Sequence, residues 1–256
     1  MSRHPPYNAG MSPSPPYASL TPDTVLAALD SVGLLTDGRL LALNSYENRV
    51  YQVGQEDGPP VVAKFYRPGR WSDAAILEEH AFTRELAERE IPVVPPIVLA
   101  QGATLHRHEG YRFAVYPRQG GRMPEFDRTD TLEWMGRFIG RIHAVGALKP
   151  YIDRPSLDIA GFGQESRDFL LAGHWLPTDL LPAWNSVIDQ ALDLARHCFD
   201  RAGDFATLRL HGDCHAGNVL WTESGPHFVD FDDSRMGPAV QDLWMLLSGD
   251  ADAMSR

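Results

Sequence analysis

His211-Gly212-Asp213-Cys214-His215-Ala216-Gly217-Asn218 is followed, twelve residues on, by Asp230 in the run HFVDFDD. Glycine, aspartate and asparagine favour turns, so any one of them alone would mark only a loop. Together they set a carboxylate and an amide five residues apart on one loop, with a second carboxylate closing a strand. That set suits phosphoryl transfer. One aspartate accepts the proton of an attacking hydroxyl, while a carboxylate and an amide oxygen hold Mg²⁺ beside phosphate oxygens. Asp213 is the candidate base; Asn218 and Asp230 are the candidate metal ligands, Asp230 counting as catalytic too.

The surroundings of this loop read as mainly helical, with helices expected over 130–145, 181–201 and 240–247 and two short strands around TESGP. Asp242, set among Val240, Leu243 and Trp244, is expected to accept hydrogen bonds from the backbone of the loop and to act as structural support. His143 reads as a packed helix histidine.

Further upstream, Thr21-Pro22 opens a helix, because proline fits a first turn that needs no N–H from it. Strands are expected over 40–43, 49–53 and 61–66, then 97–99 and 113–116, with a helix from Ser72 to about Glu90 inserted after the third. Lys64, in VVAKFYRP, is costly to bury without a partner, although an edge-strand lysine that guards against aggregation would look the same. On the following helix Ala75, Phe82 and Leu86 share a stripe flanked by Glu78 and Glu79. Glu79 lies nearer the stripe centre and is the favoured partner of Lys64 at the α- and β-phosphates. Between the first two strands, NSYEN lacks a G-x-G-x-x-G pattern, yet Ser45 and nearby N–H groups suit a phosphate contact.

These pieces assemble as an α+β chain of two lobes. A flexible tail is expected over 1–20, an N-terminal antiparallel sheet plus helix over 21–118, a glycine- and proline-punctuated hinge over 119–126, and a mainly helical lobe over 127–256. Such a hinge would leave a substrate cleft between the lobes. The 256 residues are 43% apolar and carry a formal charge of −11, which argues against a general nucleic-acid binder. Two cysteines are too few for a disulfide framework, and no run of about 18 apolar residues marks a membrane span. A cytoplasmic protein is expected.

The segments LNSYENRVYQ, VVAKFYRPGRW, FAVYPRQGGR, LRLHGDCHAGNVLW, FVDFDD and GPAVQDLWMLLSGD closely resemble the bacterial stress response kinase A family. These are serine/threonine protein kinases on the aminoglycoside phosphotransferase and choline kinase fold. The resemblance implies ATP and Mg²⁺ as cofactors, with Ser45 at the ATP site, Lys64 as the nucleotide lysine and Tyr116 in the adenine-side stretch. It also implies Asp213 as proton acceptor and Asn218 and Asp230 on Mg²⁺. A cytoplasmic monomer acting on protein Ser/Thr hydroxyls in stress responses is the expectation. Family members continue for several helices past GPAVQDLW, whereas this chain stops at Arg256, which reads as a C-terminal shortening. The alternatives are a small-molecule kinase, an inactive nucleotide-binding module, or a zinc hydrolase using His211, Asp213 and His215 with His143 or His227.

Overall fold

The computed structural model describes residues 16–99, 102–126, 128–247 and 254. They form two compact units: the chain up to Asp73 with Pro95–Arg118, and Ala74–Val94 with the chain from Gln119 onward.

The first unit is built on an antiparallel sheet. Helix α1 (Pro22–Asp30) starts as the Thr-Pro pair predicts, with Thr21 Oγ1 accepting the Thr24 N–H at 3.2 Å. Strands β1 (Thr36–Leu43), β2 (Arg49–Gln55) and β3 (Val61–Phe65) form the expected meander. With β4 (His106–His108) and β5 (Tyr111–Pro117), the order is β1-β2-β3-β5-β4. The strand expected over 97–99 is absent. Ile97 gives its N–H to the Val115 carbonyl at 2.7 Å, but Pro95 and Pro96 before it have none to give, and Leu99 already bonds to Ala103. Its place is taken by β4, whose His-Arg-His composition has no apolar alternation to announce it. Glu109 at φ 47° and Gly110 at φ 84° make the tight turn from β4 into β5.

Val25, Ala28 and Leu29 of α1 pack against Val53, Val61, Ala63, Phe65, Phe113 and Val115 to form this unit's core. Leu20 joins the core and Tyr17 packs against it, its ring stacked on Tyr111 at 6.2 Å between centroids. The tail expected over 1–20 therefore needs correction at its end. Residues 16–20 carry apolar surface that the sheet buries, while 1–15 lie outside the described residues.

The second unit gathers the helices. In α2 (Asp73–Glu88), Phe82 and Leu86 share a core with Ile91 and Val93, with Met135, Ile139 and Ile142 of α3 (Thr129–Gly146), and with Val219, Phe228 and Phe231. Residues 74–94, expected in the N-terminal lobe, thus contribute their apolar face to this core. Arg122, in the segment expected as a hinge, exchanges backbone hydrogen bonds with Trp221 at 2.9 and 2.7 Å. Helix α4 (Glu165–Ala172), preceded by a π-helical turn over Ala160–Gln164, had no forewarning in the sequence; α5 (Leu181–Ala202) did. Two small ladders follow, β6 (Leu208–Arg209) with β9 (Met236–Gly237) and β7 (Val219–Thr222) with β8 (Gly225–Phe228). The expected last helix is split into α6 (Val240–Leu243) and a 3₁₀ turn over Trp244–Leu246. Among the described residues, no helix is long and apolar enough to cross a membrane.

Candidate active site

The β6–β9 ladder, with Leu208 opposite Gly237 and Arg209 opposite Met236, delivers the chain into the 210–218 loop. Gly212 turns that loop at φ 91°, where a Cβ would sit 2.1 Å from the Asp233 carbonyl oxygen. Only glycine fits. Asp242 of α6 then pins the loop. Its Oδ2 accepts the His211 N–H at 2.9 Å and its Oδ1 the Gly212 N–H at 2.8 Å, as the sequence suggested. His143 Nε2 lies 2.9 Å from the same Oδ2. Asp242 is wholly buried, and burial works against its charge. The bond to His143 and the two backbone N–H donors nevertheless hold its carboxyl below the usual range.

His211 is buried too, and burial pushes its pKa down against the opposing pull of Asp242. Its Nε2 is 3.0 Å from the Val229 carbonyl, to which it donates, and its Nδ1 accepts the Asp213 N–H at 3.3 Å. These partners define one neutral tautomer. A single ring therefore ties Asp213 to the residue preceding Asp230. With both nitrogens engaged by backbone, His211 has no lone pair for a metal, which removes it from the zinc set. Among the described residues, no group of three or more His, Cys, Asp and Glu side chains is arranged to hold a metal ion. The Cys214 thiol, beside Asp213, is buried and its pKa is raised well out of the nucleophilic range by that burial.

The Asp213 carboxylate is partly exposed. Asn218 Nδ2 donates to its Oδ2 at 3.3 Å and to the Asp213 carbonyl at 2.9 Å, while His215 Nε2 is 3.5 Å from that Oδ2. From Asn218 the chain runs out along β7 and back along β8, with Val219 opposite Phe228, so that the Val229 N–H meets the Asn218 carbonyl at 3.0 Å. The hairpin thereby returns Asp230 towards Asn218. Asp230 is exposed and left-handed, at φ 60° and ψ 64°, a costly conformation for a residue with a side chain. Because the Asn218 amide nitrogen is engaged by Asp213, its amide oxygen is the atom left for a cation. With the Asp230 carboxylate it makes an all-oxygen donor pair, which fits a hard cation such as Mg²⁺.

The other expected site residues belong to the first unit, except Glu79. Strand β3 is the middle strand of five, and Lys64 on it is 6% exposed, so the edge-guard reading of this lysine fails. Its Nζ lies 5.3 Å from the centre of the Tyr66 ring, and the Tyr66 hydroxyl is 3.0 Å from that of Tyr116. The Ser45 hydroxyl donates to the Asn48 carbonyl at 2.9 Å and closes the β1–β2 turn, which the Asn48 side chain braces by accepting the Arg67 N–H at 3.1 Å. Glu79 is buried within α2. Glu78 is engaged by the backbone N–H groups of Ile152, Asp153 and Arg154, at 2.7, 2.8 and 2.9 Å. That contact, the His143–Asp242 bond and the His211 link were invisible in the sequence, since their partners lie 18 to 99 residues apart.

The model of the phosphotransferase enzyme family matches residues 39–255, the stretch that holds all these residues. The chain belongs to that family. Among curated proteins it is 47% identical over 234 residues to the serine/threonine protein kinase RdoA of Salmonella typhimurium, covering 91% of this chain and 70% of the relative. Stress response kinase A of Escherichia coli is 46% identical over the same shares. The recognition of the stress response kinase A family holds, and the protein is a phosphotransferase, a kinase. Among solved structures, an amicoumacin kinase in complex with AMP-PNP, Ca²⁺ and its antibiotic matches with a TM-score of 0.69 at 22% identity, over 87% of this chain and 68% of that one. That likeness bears on the fold, the two-part α+β architecture expected for this phosphotransferase.

Proposed function

We propose that this kinase transfers the γ-phosphoryl group of ATP to Ser or Thr hydroxyls of protein substrates, with Asp213 as the base. The observation that carries the reading is the 211–218 loop. Its backbone is pinned by Asp242, and it presents the Asp213 carboxylate partly exposed beside Asn218, while the hairpin that leaves Asn218 ends at Asp230. Asp213 takes the hydroxyl proton as the oxygen attacks phosphorus, while the Asn218 amide and His215 hold its carboxylate in one orientation. Asn218 Oδ1 and Asp230 would hold Mg²⁺, which would neutralise charge on the phosphates. Lys64, with Glu79 as its partner, orients the α- and β-phosphates, and Ser45 and Tyr116 line the nucleotide site. The choice of protein hydroxyls rests on the relative named a serine/threonine protein kinase. A cytoplasmic monomer serving a stress response belongs to the same proposal, by likeness to stress response kinase A.

Radiolabel transfer from Mg²⁺-ATP to a generic basic protein, beside aminoglycosides and choline, tests the acceptor class. Label on the small molecules alone would replace the protein-kinase reading with a small-molecule one. Asp213→Asn keeps the side chain's shape and removes the proton acceptor, so kcat should fall by about 10²- to 10⁴-fold with nucleotide binding nearly intact. Asp230→Asn should instead weaken Mg²⁺-nucleotide binding. The reverse pattern would exchange the two roles and reject the assignment of this loop.

A further inference from the structure

The left-handed backbone at Asp230 has to be held by what flanks it, because the conformation is unfavourable by itself. On its N-terminal side the Val229–Asn218 and Val229–His211 bonds do this. On its C-terminal side stands Arg154, 4% exposed, whose guanidinium donates to the Asp232 carbonyl at 2.8 and 3.1 Å and to the Ser234 carbonyl at 2.9 Å. Arg154 sits on an irregular segment between α3 and α4. That segment is itself gathered by the Glu78 carboxylate, which accepts three consecutive N–H groups, those of Ile152, Asp153 and Arg154. The two segments are also laced together by backbone. Leu157 donates to Met236 at 2.7 Å, and Met236 to Pro155 at 3.1 Å. The Ser234 hydroxyl, 2.6 Å from the Tyr151 hydroxyl, reaches the Leu210 carbonyl at 2.6 Å.

We propose that Glu78 and Arg154 are positioning residues for Asp230. The Glu78 carboxylate sets the backbone of 152–154, and Arg154, fixed there, clamps the Asp232 and Ser234 carbonyls, two and four residues past Asp230, and so holds the turn that aims its side chain. The chemistry suits the task, since an arginine fork spans two carbonyls at once and a lysine's point charge does not. A carboxylate offers acceptor lone pairs on both oxygens, and glutamine replaces one oxygen with a donor that would face N–H groups. The inference rests on Asp230 being the metal-side carboxylate of the proposed function.

Arg154→Lys and Glu78→Gln in the full chain are the test, read by calorimetric binding of Mg²⁺-AMP-PNP and by hydrogen exchange of the amides of 231–235. The expected result is affinity weaker by about tenfold in Arg154→Lys, the size of one lost charge-assisted hydrogen bond, and a smaller loss in the same direction in Glu78→Gln. Faster exchange at 231–235, with exchange across β3 unchanged, should accompany both. Wild-type affinity and wild-type exchange in both variants would overturn the proposal. Should Arg154→Lys fail to fold, Glu78→Gln decides by the same two readings. If the wild-type chain itself binds no Mg²⁺-nucleotide, or if Asp230→Asn binds as tightly as wild type, the proposed function is what fails, and the exchange comparison alone then decides the positioning roles.

Discussion

Two side chains show how burial is turned to opposite ends. Lys64 is buried on the middle strand, where a lone ammonium would be costly. Lys64→Met keeps the stem and removes the charge, and taking one partner out of a buried charged pair strands the other, here the buried carboxylate of Glu79 proposed as its partner. The expected outcome is a melting temperature below wild type together with kcat/KM for ATP down about tenfold or more. Unchanged kcat/KM would leave Lys64 a structural residue. His211 is kept neutral by burial instead, its folded pKa lying below the ordinary value of about 6.5. The unfolded chain then takes a proton that the folded chain refuses, so stability falls as pH drops through about 6.5. Asp242 has the opposite sense. Its depressed pKa contributes stability above about 3.9 that is lost only as pH falls further. His211→Gln, which cannot titrate, should therefore flatten the decline in urea-unfolding stability between about pH 6.5 and 5. A decline as steep as in wild type would assign it to other groups.

At the scale of elements, the 210–218 loop depends on one backbone position more than on any side chain. Gly212 combines a left-handed φ of 91° with a neighbour that no Cβ could tolerate. Gly212→Ala should cost about 3 kcal/mol, combining strain with a displaced Asp233 carbonyl, and should also abolish turnover, because the loop carries Asp213. Thermal unfolding and the kinase assay check both halves; a stable, active variant would contradict the geometry. Gly110 in the β4–β5 turn is also left-handed, but a Cβ there meets open space. The two glycines look alike in sequence, and only what surrounds each separates them.

For the molecule as a whole, each unit has its own core, and the second is crossed by an ion pair. Arg209 is buried, with Nη1 3.0 Å from Glu85 of α2, Nη2 2.9 Å from the Val145 carbonyl of α3, and its guanidinium 4.3 Å over the Phe82 ring. Gly146 permits this crossing, because a Cβ there would lie 2.2 Å from the Arg209 carbonyl oxygen. Burial raises the Glu85 pKa, yet the bonds from Arg209 and Lys149 leave it net below the ordinary range. Glu85→Ala removes one partner and leaves a buried guanidinium, at a cost of about 3 kcal/mol in urea-unfolding free energy. Glu85→Ala together with Arg209→Met should recover part of that loss, because no charge is then stranded. If the double variant is no better than the single, the pair is not the source of the cost.

The sequence by itself determined the elements whose signal is local. The Thr21-Pro22 cap, the three-strand meander, the long helices and the one loop that Asp213 shares with Asn218 were legible because periodicity, turn residues and motif spacing act over a few residues. Tertiary structure decided what depends on distant partners. The polar strand β4 exists because β5 offers it an edge, and residues 16–20 are ordered because the sheet accepts Tyr17 and Leu20. Lys64 was ambiguous until strand order put β3 in the middle, since a strand's neighbours are not written in its own residues. Glu78 and Glu79, adjacent on one helix, were distinguished only when the 152–154 backbone engaged the first and burial enclosed the second. Hydrogen bonds across 74 to 99 residues form only after the chain has folded, and nothing in the local pattern of either partner announces them.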